Sequence, residues 1–408
     1  MKIAIIGGGA SGMMAAITAA KYGAEVTLIE RKDRIGKKIL ATGNGKCNFT
    51  NINMKATDFF SQCKGVYSDY VSQYDNFSVI SFFQELGMLI KDKNGYCYPR
   101  SEQASTILDL LRLQLKSLHV TILTDDYPVV IEKKKKDFEI CFNSGEKKYY
   151  QKVILCCGSY AGEKKAVEPS GYSYAKQLGH KIVPLVPALV QLRVSDKDMK
   201  TIAGVRCDAR ISLYINKRQV AEEVGELQLT DYGISGIPVF QLSRYASYGL
   251  YENKKVHAII DFLPEYDMED WMTIIKTKFN NIPSEMTIEE FLQGFLNKKL
   301  NLYFLKYWGL KPDLSLKELS SSKLQKLLAD MKNKSFLIQA TNPFENAQVC
   351  AGGVSMEEVS LGLESKLVDG LYFAGEMLDV DARCGGYNLQ WAWSSGYIAG
   401  KTAATKIK

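Results

Sequence analysis

The first thirty residues constrain the fold of this chain more than any other stretch. An apolar strand, Ile3 to Ile6, runs directly into the turn Gly7-x-Gly9-x-x-Gly12, and a helix rich in small residues follows to about Tyr22. A second strand, Glu25 to Ile29, then leads to an acidic residue, Glu30. A strand, a glycine-rich turn, a helix and a strand ending at an acid predict a dinucleotide-binding βαβ unit.

Each part of this motif has a physical role in the expected site. Gly7 allows the tight turn, Gly9 lets the backbone approach a pyrophosphate, and Gly12 lets the helix pack closely on the strand. The N-terminus of the helix offers free N–H groups to the phosphates. Glu30, eighteen residues beyond Gly12, is placed to accept hydrogen bonds from an adenosine ribose. The sequence therefore predicts a bound dinucleotide.

Composition restricts the class of protein. The nine cysteines contain no Cys-x-x-Cys pair, and the three histidines, His119, His180 and His257, have no metal-ligand spacing, so we expect reduced thiols and no metal site. The net charge of +7 is too small to indicate a nucleic-acid partner. No apolar run is long enough for a membrane span. We expect a cytoplasmic enzyme with a small-molecule substrate.

The pattern along the chain predicts an α/β nucleotide domain interrupted by an insert. Helices are expected at Ser78 to Leu86 and Ala104 to Leu118, and a buried parallel strand at Val153 to Cys157, ending at Gly158. From about Leu189 antiparallel strands and helices alternate, and the glycine-rich texture returns beyond Phe336. The predicted boundaries are 1–188 and 338–408 for the nucleotide domain and 189–337 for an α+β insert.

Individual elements are also predicted within these domains. We expect strands at 120–123, 128–132, 138–142, 191–194, 210–215, 219–224 and 226–229, and helices at 271–279, 289–296 and 323–331. The run Lys133 to Lys136 is interpreted as a solvated hairpin tip. The long connection from Arg31 to Asn51 has no hydrophobic period, and its Gly43-Asn44-Gly45 turn favours a functional loop.

A second signature lies near the C-terminus. A short apolar strand, Leu371 to Phe373, runs into Ala374-Gly375-Glu376, and the ribityl chain of FAD presents hydroxyls to a carboxylate at such a strand end. Gly385-Gly386-Tyr387-Asn388 then opens a helix to about Ala404. A helix N-terminus directed at a flavin would stabilise the negative charge of the reduced ring. The alternative is a terminal helix that only packs.

Four segments together resemble the BaiN/YhiN-like family of bacterial FAD-dependent flavoproteins over nearly the whole chain. They are GGGASGMMAA, ATGNGKCNFTN, NAQVCAGGVSMEEV and GLYFAGEMLDVDARCGGYNLQWAWSSGYIAG. The segment GELQLTDYGISGIPVFQLS of the insert is also similar to the family. The resemblance implies a glutathione-reductase-like FAD domain of the three-layer ββα type, split by an insert that covers the isoalloxazine ring. It also implies a flavin oxidoreductase.

The resemblance implies a specific set of cofactor-binding residues. The adenosine diphosphate part would be held by Gly7, Gly9, Gly12, Glu30 and Arg31, with Ala10 and Ser11 in the same loop. Gly43, Asn44, Lys46 and Asn48 would lie along the flavin, Glu376 would hold the ribityl chain, and Gly386, Tyr387 and Asn388 would lie beside the ring. Lys38, Gly158 and Gly375 complete the expected set.

Several reactions remain open at this stage. Family members are associated with reduction of enone double bonds in bile acid intermediates and with oxidation of aminoacetone. We expect a reductase of an activated C=C bond or a related small organic substrate that uses NADH or NADPH. Only one Gly-x-Gly-x-x-Gly unit is visible, so a nicotinamide must dock over the flavin or be replaced by another reductant. The alternatives are an amine-type oxidase that passes electrons to oxygen, a flavin-dependent RNA-modifying enzyme, and a flavoprotein without turnover.

Tyr387, Asp381 and Cys384 are the catalytic candidates for proton delivery, and Tyr232 of the insert is a weaker one. Each has a structural alternative, since a buried tyrosine, acid or thiol often only packs. Where the family commonly has Asp-x-Asp-Gly before the glycine pair, this chain has Asp379-Val380-Asp381-Ala382 followed by Arg383 and Cys384. We expect this departure to alter the charge beside the ring.

Overall fold

The computed structural model describes residues 1–163, 168–281, 283 and 285–405. The chain divides into two compact units. The core unit consists of Met1–Leu185 and Val349–Lys408, and the inserted unit consists of Val186–Gln348.

The first part of the core unit contains most of its regular structure. Its strands are β1 (Lys2–Ile6), β2 (Glu25–Ile29), β3 (Thr50–Asn51), β4 (Phe59–Phe60), β5 (Ile90–Lys93), β6 (Tyr96–Pro99), β7 (Thr121–Leu123), β8 (Pro128–Lys133), β9 (Phe138–Phe142), β10 (Lys147–Tyr150) and β11 (Lys152–Leu155), and β12 (Ile182–Ala188) begins in this part and ends in the inserted unit. Its helices are α1 (Ala10–Lys21), α2 (Lys37–Leu40), α3 (Val66–Asp69), α4 (Asn76–Glu85), α5 (Ala104–Ser117) and α6 (Gly171–Gln177).

The inserted unit and the end of the chain contribute the remaining elements. The insert has β13 (Leu192–Val194), β14 (Arg206–Ile215), β15 (Arg218–Leu229), β16 (Gly233–Ser235), β17 (Val256–Asp261) and β18 (Lys334–Thr341), with α7 (Met199–Ile202), α8 (Ile237–Tyr251), α9 (Met268–Asn280), α10 (Ile288–Leu292), α11 (Lys298–Tyr307) and α12 (Ser321–Ala329). The core unit ends with β19 (Val349–Val354), β20 (Leu371–Phe373), β21 (Asp381–Ala382) and α13 (Tyr387–Thr405).

A five-stranded sheet of order β20-β11-β1-β2-β7 forms the centre of the core unit, and all its neighbouring pairs are parallel. Ile3, Ile5 and Leu155 are fully buried, as expected for strands covered on both faces. The antiparallel sheet β10-β9-β8 provides a second β layer. This arrangement confirms the predicted Rossmann fold with a parallel sheet.

Helices α1 and α13 pack on one another through small residues. A Cβ atom on Gly396 would lie 2.5 Å from the carbonyl oxygen of Ser11, and one on Gly400 would lie 2.5 Å from that of Ala15. Because these contacts are with backbone atoms, only glycine permits so close an approach. The last helix of the chain is thereby fixed against the first.

The inserted unit is built on a closed antiparallel barrel of order β13-β16-β15-β14-β17-β18. Its core includes Leu213, Leu227 and Phe304. The sequence predicted two strands, 219–224 and 226–229, where the structure has the single strand β15. Gly225 pairs with Ala209 and continues the ladder, so this glycine is not the break that its type suggested.

Other local predictions agree closely with the structure. Strands β8 and β9 form an antiparallel pair on either side of residues 134–137, which confirms the hairpin predicted at the lysine run. All nine cysteines are free. Among the residues described, every helix is too short or too polar to span a lipid bilayer.

Candidate cofactor site

In the turn between β1 and α1, close packing requires glycine at two positions, whereas a third glycine has open space beside it. A Cβ atom on Gly7 would lie 2.4 Å from the carbonyl oxygen of Cys156, and one on Gly12 would lie 1.9 Å from that of Gly7. A Cβ atom on Gly9 would meet no atom within 4 Å. Gly7 and Gly12 therefore allow the turn to form, whereas Gly9 leaves space where a ligand can approach the backbone.

Helix α1 begins at Ala10, and its N-cap residue is Gly9. In the described structure no side chain of this residue caps the first N–H groups of the helix. Its first turn contains Ala10, Ser11 and Gly12. The first N–H groups of a helix have no partner within the helix, and they carry the positive end of its dipole. This end of α1 is thus suited to an anionic group such as a pyrophosphate.

Glu30 lies directly beside this turn. One of its carboxylate oxygens accepts a hydrogen bond from the N–H of Gly8 at 2.8 Å, and the other accepts one from the N–H of Lys32 at 2.9 Å. These bonds hold the carboxylate at the end of β2, where each oxygen retains further acceptor capacity. The contact of Glu30 with an adenosine ribose stays a prediction.

Arg31 is held by protein groups on both sides. Its guanidinium donates to the carbonyl oxygen of Pro169 at 2.5 Å and stacks over the ring of Tyr127 at 4.1 Å from the centroid. A planar guanidinium on an aromatic face is fixed in orientation. The orientation of the Arg31 side chain is therefore fixed by Pro169 and Tyr127.

The second predicted acid, Glu376, joins the two ends of the chain. Gly375 precedes it with φ of +74°, and a Cβ atom there would lie 2.4 Å from the Oγ of Ser11, so the strand end reaches the first glycine turn. Glu376 accepts a hydrogen bond from the backbone N–H of Cys350 at 3.1 Å and pairs with the Nζ of Lys38 at 2.7 Å. The structure thus brings the predicted residues Ser11, Lys38, Gly375 and Glu376 together.

The ion pair between Lys38 and Glu376 is easily rearranged. The lysine side chain is 48% exposed and the glutamate side chain 20% exposed. Such partly solvated pairs contribute only about 0–1 kcal/mol, because water screens them and two side chains must be ordered. A ligand hydroxyl can therefore replace the lysine at Glu376 at small cost.

The predicted functional loop adopts an unusual backbone. Gly43 and Asn44 both have left-handed conformations, with φ of +54° and +53°, and a Cβ atom on Gly43 would lie 3.1 Å from the backbone N of Asn48. Gly43, Asn44 and Lys46 are accessible at the surface of this turn. The turn directs the chain so that Asn48 points inward.

Asn48 carries a polar atom that the protein leaves unsatisfied. Its Oδ1 atom is buried, and in the described part of the chain it has no hydrogen-bond partner. A buried acceptor without a partner costs about 1–3 kcal/mol. This atom is therefore positioned for a donor supplied by a bound group.

The start of α13 is fitted closely onto the same loop. A Cβ atom on Gly386 would lie 2.7 Å from the carbonyl oxygen of Thr50 and 2.9 Å from the Oδ1 of Asn48. Asn51 donates to the carbonyl oxygen of Gly385 at 3.2 Å, and Thr50 donates to Gln390 at 2.6 Å. The loop and the helix N-terminus, more than 330 residues apart in sequence, form one structural feature.

Asn388 is engaged with the backbone. Its Oδ1 accepts from the N–H of Ala382 at 2.9 Å, and its Nδ2 donates to the carbonyl oxygens of Ala382 at 2.9 Å and Arg383 at 3.1 Å. The side chain thus fixes the turn before α13.

The three catalytic candidates lie on this turn and on the first residue of α13. Asp381 belongs to the short strand β21 and is buried, at the residue paired with Phe60. Burial raises the pKa of the Tyr387 phenol to about 12, and burial also raises the pKa of the Cys384 thiol despite the nearby Arg383. At neutral pH both groups are protonated, so they could donate a proton but not accept one.

The sequence did not identify two groups that support Glu376. The backbone N–H of Cys350 binds its carboxylate, and the buried Tyr172 donates from its hydroxyl to the Glu376 carbonyl oxygen at 3.3 Å. The sequence signal that could have indicated this contact is the glycine pair Gly352-Gly353 just after Cys350. Both glycines have positive φ and lie against backbone atoms. Gly158, predicted from its strand end, has φ of +73° with open space beside it.

A separate cavity of about 610 Å³ lies between α1, α4 and α13. Its walls include Ile17, Phe82 and Tyr397. It contains none of the residues predicted to bind a cofactor. Among the described residues, no group of three or more His, Cys, Asp or Glu side chains could hold a metal ion.

These features fit FAD. The open face at Gly9, the carboxylates of Glu30 and Glu376 at two strand ends, and the unsatisfied oxygen of Asn48 match the phosphates, the sugar hydroxyls and the N–H donors of that cofactor. The fold and the site define an FAD-dependent oxidoreductase with a Rossmann domain.

The chain belongs to the family described as HI0933-like protein Rossmann domain, which matches residues 1–402. It is 42% identical to a 3-dehydro-bile acid delta(4,6)-reductase from Clostridium scindens, over 99% of both chains. It is 30% identical to a ribosomal RNA dihydrouridine synthase from Haemophilus influenzae, over 96% of both chains. A protein with the same description from Escherichia coli is 29% identical over 96% of this chain and 95% of its own.

These relatives confirm the family resemblance and the assignment as an enzyme. They also qualify one prediction. The composition did not favour a nucleic-acid partner, yet two of these full-length relatives carry names of RNA-modifying enzymes. The nature of the substrate is therefore not decided by family membership.

Proposed function

We propose that this enzyme reduces a C=C bond conjugated to a carbonyl group in a small organic substrate, with NADH or NADPH as the electron donor. The observation that carries the proposal is the full-length identity of 42% to the 3-dehydro-bile acid delta(4,6)-reductase. That name describes a ketone conjugated with double bonds, which is an acceptor for hydride. A steroid-like enone acid is accordingly the substrate class we favour.

The core-unit residues divide into two groups in this proposal. Gly7, Gly9, Ala10, Ser11, Gly12, Glu30 and Arg31 would hold the adenosine diphosphate part of FAD. Lys38, Gly43, Asn44, Lys46, Asn48, Gly158, Gly375, Glu376, Gly386, Tyr387 and Asn388 would hold the ribityl chain and the ring. When bound, the flavin supplies the capacity to accept and to transfer hydride.

At the ring end the protein supplies orientation and protons. The unpaired Oδ1 of Asn48 would accept a hydrogen bond from the ring, and the N-terminus of α13 would favour negative charge beside Gly386. Tyr387, with its pKa raised by burial to about 12, would donate a proton to the α-carbon of the enone, the carbon of the double bond that does not receive hydride. Asp381 and Cys384 are the other candidates for this step.

The second candidate function is dihydrouridine synthesis in ribosomal RNA, favoured by the relatives from Haemophilus influenzae and Escherichia coli. The uracil C=C bond is also conjugated to a carbonyl, so the chemistry at the ring would be the same. The charge of the insert supports the smaller substrate. Residues 186–348 contain 21 Lys and Arg against 20 Asp and Glu, a weak attraction for a phosphate backbone.

The test is anaerobic stopped-flow absorbance of the FAD-loaded enzyme. Bleaching of the flavin band by NADH or NADPH would establish the donor. The reduced enzyme is then mixed with a 3-oxo-Δ4,6 bile acid, with the saturated 3-oxo acid as the control, and with ribosomal RNA that lacks dihydrouridine. We expect rapid reoxidation by the dienone alone.

Two other results would redirect the assignment. Reoxidation by RNA and not by the dienone would support the synthase. A flavin that no nicotinamide bleaches, but that an amine reduces and oxygen reoxidises, would support an oxidase. Either result would contradict the proposed reduction of a small enone.

A further inference from the structure

The cavity between α1, α4 and α13 lies within the core unit, away from the candidate cofactor site. It is lined by residues from the ranges 14–22 and 74–85 and by Tyr397 of α13. Lys21 is the last residue of α1, about 16 Å along the helix axis from Ala10 at the cofactor turn, at a rise of about 1.5 Å per residue. We call this space of about 610 Å³ the α1–α4 cavity.

Aromatic rings form much of the wall of the α1–α4 cavity. Five of its twelve lining residues are aromatic, and two of these, Tyr22 and Phe77, are 44% and 63% exposed. The rings of Tyr74 and Tyr397 stack on one another, with their centroids 3.9 Å apart and an interplanar angle of 13°. Exposed aromatic rings around a concavity of this size are typical of a site for a small apolar ligand.

Two lysines place positive charge beside the same rings. The Nζ atom of Lys21, which lines the cavity, lies 5.5 Å from the centroid of the Phe82 ring. The Nζ atom of Lys401 lies 5.7 Å from the centroid of the Tyr397 ring. Within the ranges that the structure describes, neither lysine forms an ion pair. Glu85 is the acid in the lining, so the two lysines leave a net positive charge.

Tyr74 adds a hydrogen-bond donor to the cavity. Among the residues described, its hydroxyl has no hydrogen-bond partner. Burial raises the pKa of this phenol, so the group keeps its proton at neutral pH and can donate to an acceptor. The α1–α4 cavity thus combines flat apolar walls with a phenol donor and two cations.

We propose that the α1–α4 cavity binds a flat aromatic carboxylate. The ring system would pack against Phe77 and the stacked pair of Tyr74 and Tyr397, because flat rings stack favourably on one another. The carboxylate would accept hydrogen bonds from the ammonium group of Lys21, and Lys401 would add a longer-range attraction. This binding site is separate from the candidate FAD site, and it does not depend on the proposed reduction of an enone.

The experiment compares an acid with its neutral counterpart. Naphthalene-1-acetate and naphthalene-1-acetamide are titrated by isothermal calorimetry into FAD-loaded enzyme, in which the cofactor site is already filled. The two probes share the same ring system and differ in charge. We expect the acid to bind about fivefold more tightly than the amide, the factor that a partly solvated charge pair can supply.

Substitutions then locate the site. Lys21→Met keeps most of the apolar stem and removes the charge, so the Kd of the acid should rise to that of the amide. Ser81→Trp adds an indole at an exposed lining position of α4 and should abolish binding of both probes. Lys116→Met is the matched control, because Lys116 is likewise an exposed lysine in the last turn of a core-unit helix. It should retain the full preference for the acid.

Several outcomes would overturn the inference. These are the absence of acid binding at millimolar concentration, equal affinities for acid and amide, and a preference for the acid that survives in Lys21→Met. Lys21→Met changes an exposed side chain, so the test stands even if Ser81→Trp fails to fold. Self-association of the enzyme that Ser81→Trp abolishes, measured by analytical ultracentrifugation, would instead assign the cavity to a second copy of the chain.

Discussion

The adenosine end and the ring end of the candidate FAD site are built in different ways. The adenosine end comes from one continuous stretch, in which Gly7, Gly12 and Glu30 lie in a single βαβ unit. The ring end joins Asn48 to Gly386 and Lys38 to Glu376, residues more than 330 positions apart. The first end is required by local backbone geometry, whereas the second depends on the correct docking of distant segments.

The largest effect is expected where the adenosine end is tightest. Gly12→Ala places a Cβ atom 1.9 Å from the carbonyl oxygen of Gly7, and because both groups belong to the backbone, the turn must distort. We expect the free energy of unfolding of the apoprotein to fall by about 3 kcal/mol or more. Urea unfolding measures this.

Gly9→Ala is the matched substitution in the same turn. It meets no protein atom within 4 Å and should change apoprotein stability by no more than about 0.5 kcal/mol, while raising the Kd for FAD about tenfold or more. Equal stability losses for the two variants would show that Gly9 is also structural.

The ring end offers a sharper contrast between two asparagines. Asn388→Ala removes three hydrogen bonds to the backbone and should lower apoprotein stability by about 1–3 kcal/mol. Asn48→Ala removes a buried acceptor without a partner, so apoprotein stability should be unchanged or should rise, while FAD affinity falls. Differential scanning fluorimetry of both variants, with and without FAD, distinguishes the loss of apoprotein stability expected for Asn388→Ala from the loss of FAD affinity expected for Asn48→Ala. A loss of stability in apo Asn48→Ala would mean that its oxygen is satisfied within the protein.

The two carboxylates test whether the ends act separately. ADP contains only the adenosine part of the cofactor. Glu30→Gln should raise the Kd for ADP by about tenfold, because one charge-assisted hydrogen bond is lost. Glu376→Gln should leave the Kd for ADP within about twofold and weaken FAD alone. Competition titrations against FAD fluorescence give both constants. If Glu376→Gln also weakens ADP, the division into two ends is wrong.

The smallest effect concerns pH. Burial raises the pKa values of Tyr387, to about 12, and of Cys384, so both groups stay protonated as the pH rises through neutrality. Between pH 6 and 8.5 we expect no step in the rate of flavin reoxidation from either group, and Cys384→Ser should leave the profile unchanged. A step near pH 8 that disappears in Cys384→Ser would show an ionising thiol at the ring end.

The same contrast explains what the sequence could predict. The turn at Gly7 to Gly12 and the position of Glu30 after β2 follow from local rules for strands, glycines and helices, so this part of the fold was predictable from residues alone, whereas its contacts with adenosine stay a prediction. The hairpin at the lysine run was predictable for the same reason. Gly225 was misinterpreted because a glycine inside a strand and a glycine at a turn look alike without the partner strand.

The ring end was predictable only as a set of candidates. No local rule indicates that the N–H of Cys350 would bind Glu376. The same holds for the hydrogen bonds between the side chain of Asn388 and the backbone of Ala382, and for the buried Oδ1 of Asn48, which has no partner among the described residues. These facts depend on how the first and last segments meet.

The position of β20 and α13 has a consequence for biosynthesis. Strand β20 completes the parallel sheet and α13 packs against α1, so the core unit lacks an edge strand and a covering helix until residues 371–405 leave the ribosome. The inserted unit is contiguous, and all of it emerges earlier. Domains generally fold as units, and N-terminal segments emerge first. The insert can therefore fold before the first 185 residues have β20 and α13 to pack against. The glycine turn is thus synthesised well before the strand and the helix that enclose it, and chaperone contact during synthesis should concentrate on residues 1–185.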